Sequence, residues 1–527
     1  MPVPRPTSLA PCSTATSSDI DISNRRTAAT SALPAIPVRR AMSVGHRLRQ
    51  LASESAVYGL APVVQRLISV FLTPLYTRLF VPADYGAMSL IDSVISLVVP
   101  FAVLSLDSAA FRWFYDATTE DEQRRAVGTW FWTQITVATL LALAVSVVPS
   151  RTVASLTDHP GARTLLLLAL VSMPLAAFEQ VTVSQARMQR KVWRALGIML
   201  TSSLLSVTLT LALVYWLRIG LIGIYLATLA TRFVIAVASV ALIGGWMSPR
   251  LFDGRLLRAM LRYSLPMVPT SLFFWVIALS DRFFLAHYWD ATEVGLYSIG
   301  VAIGAVLTLV TGAFQNAWAA FAFSIKDQGD AKETYALAME GYLYVSCALG
   351  LGLAVFAPEA LRILTPARYH AAENVVAPLA IGYVMAGLCQ ITQIGAMLVK
   401  RTRAVFEAFG LAAIANLVLN VLLIPRYGRA GAAYATLLSQ AVLPFHLLWR
   451  SQRLYYIPYR SWLTFAVPAA TLLIAVVMRR VVNELPLVAA IGAKLLVVVS
   501  FAALLVLTSP VRWWVFERVG LASARET

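Results

Sequence analysis

From about residue 52 the chain is a succession of apolar segments of roughly 20 to 28 residues with short polar gaps between them. About 20 apolar residues are what a helix needs to cross the hydrocarbon of a bilayer. The composition agrees, with 59% hydrophobic and 13% charged residues against about 25% charged in an ordinary soluble domain. Most of the surface must therefore face lipid, which excludes a soluble enzyme. Lipid cannot satisfy backbone amides, and the segments lack the two-residue alternation of a membrane barrel, so the expected fold is an all-α polytopic membrane protein. Fourteen spans are expected, at 54–77, 87–110, 127–149, 162–186, 195–217, 219–246, 263–286, 294–321, 334–357, 374–399, 404–425, 428–449, 461–478 and 485–509.

Residues 1–50 are rich in Ser, Thr, Ala, Pro and Arg and read as a disordered tail, with Met42 near its end as a candidate start. The net charge of +17 belongs to the loops. Excluding the tail and the four cations deep within spans, and counting Arg163 and Arg429 at span edges with their loops, 22 Lys and Arg fall on the side shared with the N-terminus and 10 on the other. That bias expects both termini in the cytoplasm of a multi-pass protein of the plasma (inner) membrane, and it accounts for the charge without a nucleic-acid partner. The densest clusters, Arg187-Met188-Gln189-Arg190-Lys191 and Lys400-Arg401-Thr402-Arg403, close corresponding loops.

The correspondence extends to an internal repeat. Asp84-Tyr85-Gly86 through Leu90 opens the second span, and Glu293-Val294-Gly295 through Ile299 opens the eighth, 209 residues later. Gly220-Leu221-Ile222-Gly223 before the sixth span pairs with Gly428-Arg429-Ala430-Gly431 before the twelfth at an offset of 208. Six helices per copy is an even number, so the copies share one orientation and are related by an axis along the membrane normal. The expected organisation is an N-lobe over 51–250, a C-lobe over 251–455, two further helices over 456–510 and a cytoplasmic tail over 511–527.

Ionisable groups at bilayer depth are costly unless they face a wet cavity or a partner, which makes them the first functional candidates. Tyr58, Pro62, Gln65/Arg66, Ser69 and Thr73 share one face of the first span. The planar guanidinium of Arg66 suits a phosphate, with a helix-holding salt bridge to Asp92 or Glu179 as the alternative. Asp92 is a candidate for ion coupling or a packing partner for Arg66. Asp281-Arg282 are ligands or interfacial anchors that snorkel. Thr311, Gln315, Asn316 and Trp318 on the eighth span suit sugar rings, although such residues also serve as packing glue. Asn316 corresponds to Asp107 at the offset of 209, at the mouth of a central cavity. Lys494 lies in a span outside the repeat. No metal-ligand spacing joins the five histidines or Cys12, Cys347 and Cys389, and no nucleotide or nucleophile motif stands out, so neither a metal nor a cofactor is expected.

Thr73-Pro74-Leu75-Tyr76-Thr77-Arg78-Leu79-Phe80 with Asp84-Tyr85-Gly86, and Tyr263 through Pro269 with Ser280-Asp281-Arg282 and Val294-Gly295-Leu296-Tyr297-Ser298, resemble the polysaccharide flippases of the multidrug/oligosaccharidyl-lipid/polysaccharide exporter superfamily. The resemblance implies a transporter, not an enzyme, that moves undecaprenyl-diphosphate-linked glycan repeats outward by alternating access. It implies a diphosphate held by cavity cations from among Arg66, Arg232, Arg282 and Lys494, sugar contacts at Tyr58, Gln65, Ser69, Thr311, Gln315, Asn316 and Trp318, and ion coupling at Asp92, Glu179 or Asp281. The implied partners are the lipid-linked glycan, membrane lipids, and the glycosyltransferases and glycan polymerase of the same pathway. A drug or cation antiporter of the superfamily is the alternative. A membrane-embedded glycan polymerase or ligase fits less well, since the longest loops on the outer side are about a dozen residues.

Two outcomes are expected. Reporter fusions after Arg125, Met247 and Arg450 read as cytoplasmic and fusions after Asp158 and Asp290 as external; an external C-terminus would mean an odd number of spans. Arg66→Ala abolishes glycan export at normal protein level and Arg66→Lys restores part of it, whereas recovery by Arg66→Ala with Asp92→Ala would identify a structural ion pair.

Overall fold

In the computed structural model, residues 72–482 and 486–508 are described. The first span apart from residues 72–77, and with it Tyr58, Gln65, Arg66 and Ser69, lies outside them, as do Met42 with the N-terminal tail and the tail over 511–527. The described residues are helical throughout, without a strand. Eleven helices are long and apolar enough to cross a membrane, or twelve if one bent pair is counted as a span.

The N-lobe contains α1 (Pro82–Val103), α2 (Glu120–Ser146), α3 (Ala162–Met188), α4 (Val192–Thr210) and α5 (Leu221–Ile243). The C-lobe contains α6 (Val268–Leu279), α7 (Asp281–Tyr288), α8 (Ala291–Gly304), α9 (Thr308–Ser324), α10 (Ala331–Val355), α11 (Glu373–Thr392) and α12 (Arg403–Leu454). Two last helices, α13 (Leu463–Val482) and α14 (Leu487–Thr508), pack on α10, and α13 also on α11, so they belong to the flank of the C-lobe. The 52-residue α12 holds both spans expected at 404–425 and 428–449, because the chain turns back at Gly428 in a conformation (φ 54°, ψ −134°) that a side chain would obstruct. The span expected at 263–286 is instead two helices, bent by 45° at Ser280 between α6 and α7.

Helix starts follow local chemistry. Pro82 occupies the first turn of α1, where its missing N–H costs nothing, and the Asp84 carboxylate accepts the Val81 N–H at 3.3 Å. Thr119 and Glu122 cap α2 reciprocally, each side chain accepting the other's backbone N–H at 3.3 Å. Asp290 accepts the Glu293 N–H at 2.8 Å and starts α8.

The duplication is written in the backbone. Gly220 (φ 74°, ψ −151°) adopts the same region as Gly428, 208 residues on. Arg190 (φ 56°) and Lys400 (φ 57°) turn their loops in the same left-handed conformation, with Lys191 N–H bonded to Ala186 O at 2.8 Å and Arg401 N–H to Ala396 O at 2.9 Å. The bundle thus has a basic end, carrying the Arg- and Lys-rich loops, and an opposite hairpin end, where α1 and α8 begin.

At the hairpin end the repeat meets itself. A methyl group added at Gly86 would land on the Ala291 carbonyl, and one at Gly295 on the Pro82 carbonyl, so α1 and α8 approach backbone to backbone. One turn deeper, Ser298 donates to Ser89 across the lobes at 2.8 Å. Deeper again, Trp275 Nε1 donates to Ser93 O at 3.2 Å. Pro82, Gly86, Ser89 and Ser93 form one stripe of α1. From the C-lobe side, Arg368 donates to the carbonyls of Thr77, Arg78 and Phe80 at 2.9, 3.1 and 3.0 Å, and Tyr369 to Phe80 O at 2.9 Å, strapping the first hairpin down.

The Ser89→Cys/Ser298→Cys pair is expected to form a disulfide on mild oxidation, because the two hydroxyl oxygens already touch. Adding Gly86→Val should suppress that cross-link by forcing the helices apart. With Cys12 replaced by Ser for the test, the background is low, since Cys347 and Cys389 are buried. Cross-linking unaffected by Gly86→Val would contradict the close approach.

Candidate functional site

The stripe on α1 continues past the closure into open space. Ser96, Val99 and Pro100 from the N-lobe face Thr270, Ser271, Phe274, Trp275 and Ala278 from α6 around a cavity of about 460 Å³. Closure near the hairpin end and a cleft beyond it toward the basic end therefore share one helix face.

A second cavity, of about 270 Å³, lies inside the C-lobe. Phe274, Ala278 and Phe409 line both, so they form the partition between them. Its polar lining comes from Asp281, Tyr297, Thr308, Thr311, Gln315, Gln390, Thr436 and Gln440. Asp281, Thr311 and Gln315, singled out in the sequence, are thus brought together. Gln440 is 6% exposed, and its Oε1 is buried close to Gly382 without a hydrogen-bond partner.

Asp281 and Arg282 sit at the bend between α6 and α7, with 1% and 6% exposure. Such burial removes the snorkelling alternative. The Asp281 carboxylate accepts from Tyr297 and from Thr436, the latter at 3.3 Å, and pairs with Arg282 at 3.1 Å. Arg282 also donates through Nε to Ser89 Oγ at 3.0 Å and through Nη1 to Ala278 O at 3.0 Å. This guanidinium consequently links the C-lobe carboxylate to the N-lobe closure. Beside it, Ser280 donates to Asn416 Oδ1 at 2.9 Å, and Asn420 donates to Ser280 Oγ at 3.3 Å and to Asn416 Oδ1 at 3.0 Å. The sequence reading missed this network; two Asn residues four apart in an apolar span were its available signal.

In the N-lobe, Asp92 is exposed and accepts from Tyr225 OH at 3.1 Å, in the field of Arg232 and Arg282. Arg232 donates to Ser172 O and Oγ at 3.0 and 2.7 Å, and Glu179 lies close enough to act on it. Asp92, Arg232 and Glu179 therefore form an N-lobe group of their own, and none of them lines either cavity.

Two expectations change. Trp318, expected to face sugar, is 4% exposed and packed between Phe314 and Tyr335, with ring centroids 5.6 and 5.9 Å away. Trp318 lies on the same helix face as Thr311 and Gln315 but further along α9, past the residues that line the cavity, where its neighbour Phe314 and Tyr335 of α10 cover it. Asn316 lies on the same helix, α9. Lys494, expected as an anion ligand, donates to both oxygens of Glu359 at 2.7 and 2.9 Å, ties α14 to the short helix Ala357–Leu364, and lines neither cavity.

Residues 75–374 match the family described as "Polysaccharide biosynthesis protein". A protein of the Lsg locus of Haemophilus influenzae (strain Rd) is 21% identical over 269 residues, which make up 50% of this chain and 64% of that protein. Among solved structures, a lipid II flippase MurJ in an inward closed conformation superposes with a TM-score of 0.66 at 15% identity, covering 86% of this chain and 99% of that one. An inward-facing multidrug-resistance MATE transporter superposes with a TM-score of 0.58 at 16% identity, covering 79% and 96%. A mutant of VcmN, a MATE transporter of Vibrio cholerae, gives 0.53 at 16% identity, covering 77% and 96%. These neighbours are transporters and flippases, not enzymes. The chain belongs to the polysaccharide biosynthesis protein family and has the fold of the multidrug/oligosaccharidyl-lipid/polysaccharide exporter superfamily.

Proposed function

We propose that the protein is a flippase that carries undecaprenyl-diphosphate-linked oligosaccharide repeats from the cytoplasmic to the outer leaflet, for the biosynthesis of a surface polysaccharide such as O-antigen or exopolysaccharide. The reading takes the basic end as cytoplasmic from its excess of Lys and Arg. The hairpin end then faces outward and is closed, and the cleft opens inward.

The observation that carries the proposal is the continuous stripe of α1, in which Gly86, Ser89 and Ser93 seal the lobes and Ser96 and Pro100 line the cleft. A head group of sugars and phosphates cannot cross hydrocarbon unaided, since each unpaired polar group costs several kcal/mol. A cleft between two rocking lobes gives it a polar path while the prenyl chain stays in lipid. In this scheme the glycan occupies the C-lobe cavity, where Thr311, Gln315, Gln390 and Gln440 supply hydroxyl and amide partners. The diphosphate is assigned to Arg66, with Arg282 and Arg232 as supporting cations; Lys494 is already neutralised by Glu359.

Opening the hairpin end requires Ser89 to leave Arg282, which frees this guanidinium to change partners. Asp281 is the group whose charge that change would alter, and we assign it the coupling role. The membership of the chain in a polysaccharide biosynthesis family supports a glycan cargo over a drug.

Proteoliposomes containing the purified chain and a labelled undecaprenyl-diphosphate oligosaccharide test the proposal. The chain should raise the rate at which the label changes leaflet, the oxidised Ser89→Cys/Ser298→Cys pair should stop it, and reduction should restore it. A leaflet distribution independent of the protein, or movement of a cationic drug in place of the lipid, would overturn the assignment.

A further inference from the structure

At the basic end of the C-lobe the turn after α11 brings Arg401 and Arg403 against the last turns of α12, where Arg450 and Arg453 enclose a cavity of about 300 Å³ with Ala404 and Leu454. We propose that this pocket binds a phosphate-bearing anion, separate from the transported substrate, and that its ligand in the membrane is the head group of an anionic phospholipid.

The charges at the pocket do not cancel. Four arginines line it, and one carboxylate, Glu407, answers them. Its oxygens accept Arg403 Nε at 2.9 Å, Arg450 Nε at 3.2 Å and Arg450 Nη2 at 3.1 Å, with His446 Nε2 at 3.6 Å. Glu407 thereby fixes the orientation of two arginines without neutralising the other two. Neither Arg401 nor Arg453 pairs with a carboxylate among the described residues; the Arg453 guanidinium lies instead 4.4 Å over the Trp449 ring. Like charges held together repel unless an anion joins them, and a phosphate suits several planar forks at once, better than a single carboxylate does.

Topology alone does not explain the arrangement. The repeat supplies the same left-handed turn in the N-lobe at Arg190, beside Arg187 and Lys191. There α5 ends at Ile243 and gives way to Gly244-Gly245-Trp246, with no arginine among these residues to form the second wall. A general excess of loop charge would not distinguish the lobes. The surroundings place the pocket at an interface: Trp449, Tyr456 and Trp462 are 48%, 66% and 68% exposed nearby in sequence, in keeping with an aromatic belt at head-group level.

The test uses the full chain in detergent, titrated with phosphatidylglycerol or phosphatidylcholine and read by native mass spectrometry. The wild-type chain should retain phosphatidylglycerol preferentially. Arg401→Gln with Arg453→Gln should lower that preference about tenfold or more, the scale expected for losing charge-assisted hydrogen bonds. Thermal unfolding should not change, because neither substitution strands a carboxylate. Arg255→Gln with Arg258→Gln removes equal charge from the same end and should leave the preference intact. Inorganic pyrophosphate separates the sources: failure to displace the lipid assigns the pocket to a head group, and displacement lost in the Arg401/Arg453 variant assigns it to a soluble phosphate compound. An equal loss in both double variants, or no loss in the first, would overturn the site.

Discussion

The contact on which the arrangement depends is the meeting of Gly86 and Gly295 across the lobes. With no side chain on either, α1 and α8 approach until a single methyl would strike the carbonyl opposite. In lipid, helix association gains little from the hydrophobic effect, so close van der Waals approach and interhelical hydrogen bonds must hold the pair. The Ser298 to Ser89 bond one turn deeper is of that kind. Everything nearer the basic end is then set by divergence from this junction, because two lobes pinned at one end leave a cleft at the other.

The bend at Ser280 is the second fixed feature. Breaking a helix at bilayer depth exposes backbone and polar side chains that lipid cannot satisfy. Here the break is enclosed by partners from three other helices: Tyr297 on α8 and Asn416, Asn420 and Thr436 on the two limbs of α12. The carboxylate at the bend is therefore tied to both walls of the C-lobe cavity. Through Arg282 it is tied also to Ser89, so a change of charge at Asp281 and a change at the closure act on one side chain.

Much of this was legible because membrane physics reduces the alphabet. Apolar runs locate helices, loop charge gives an end its sign, and motifs matched 209 residues apart mark Gly86 with Gly295 and Ser89 with Ser298 as equivalent positions, although equivalence alone does not say that they touch. Long-range pairing was not legible. Nothing near Lys494 in the sequence points to Glu359, 135 residues away. The burial of Asp281-Arg282 was hidden for a related reason: a residue near the end of an apolar run is interfacial only if the helix is straight, and this one bends. Trp318 was misread because sharing a face with Thr311 and Gln315 does not place a residue in the same cavity: further along the helix that face is covered by Tyr335 of α10.

The closure and the interior follow opposite rules. At the junction the two copies remain equivalent, glycine to glycine and serine to serine, as they must if rocking is to open and close the same surfaces. Inside, they have diverged. The C-lobe encloses a polar cavity, whereas in the N-lobe Arg232 is committed to Ser172 and Asp92 to Tyr225, and neither side chain lines either cavity. In the proposed transport cycle, symmetry at the contact preserves the motion, and asymmetry behind it gives one lobe the task of recognising what is moved.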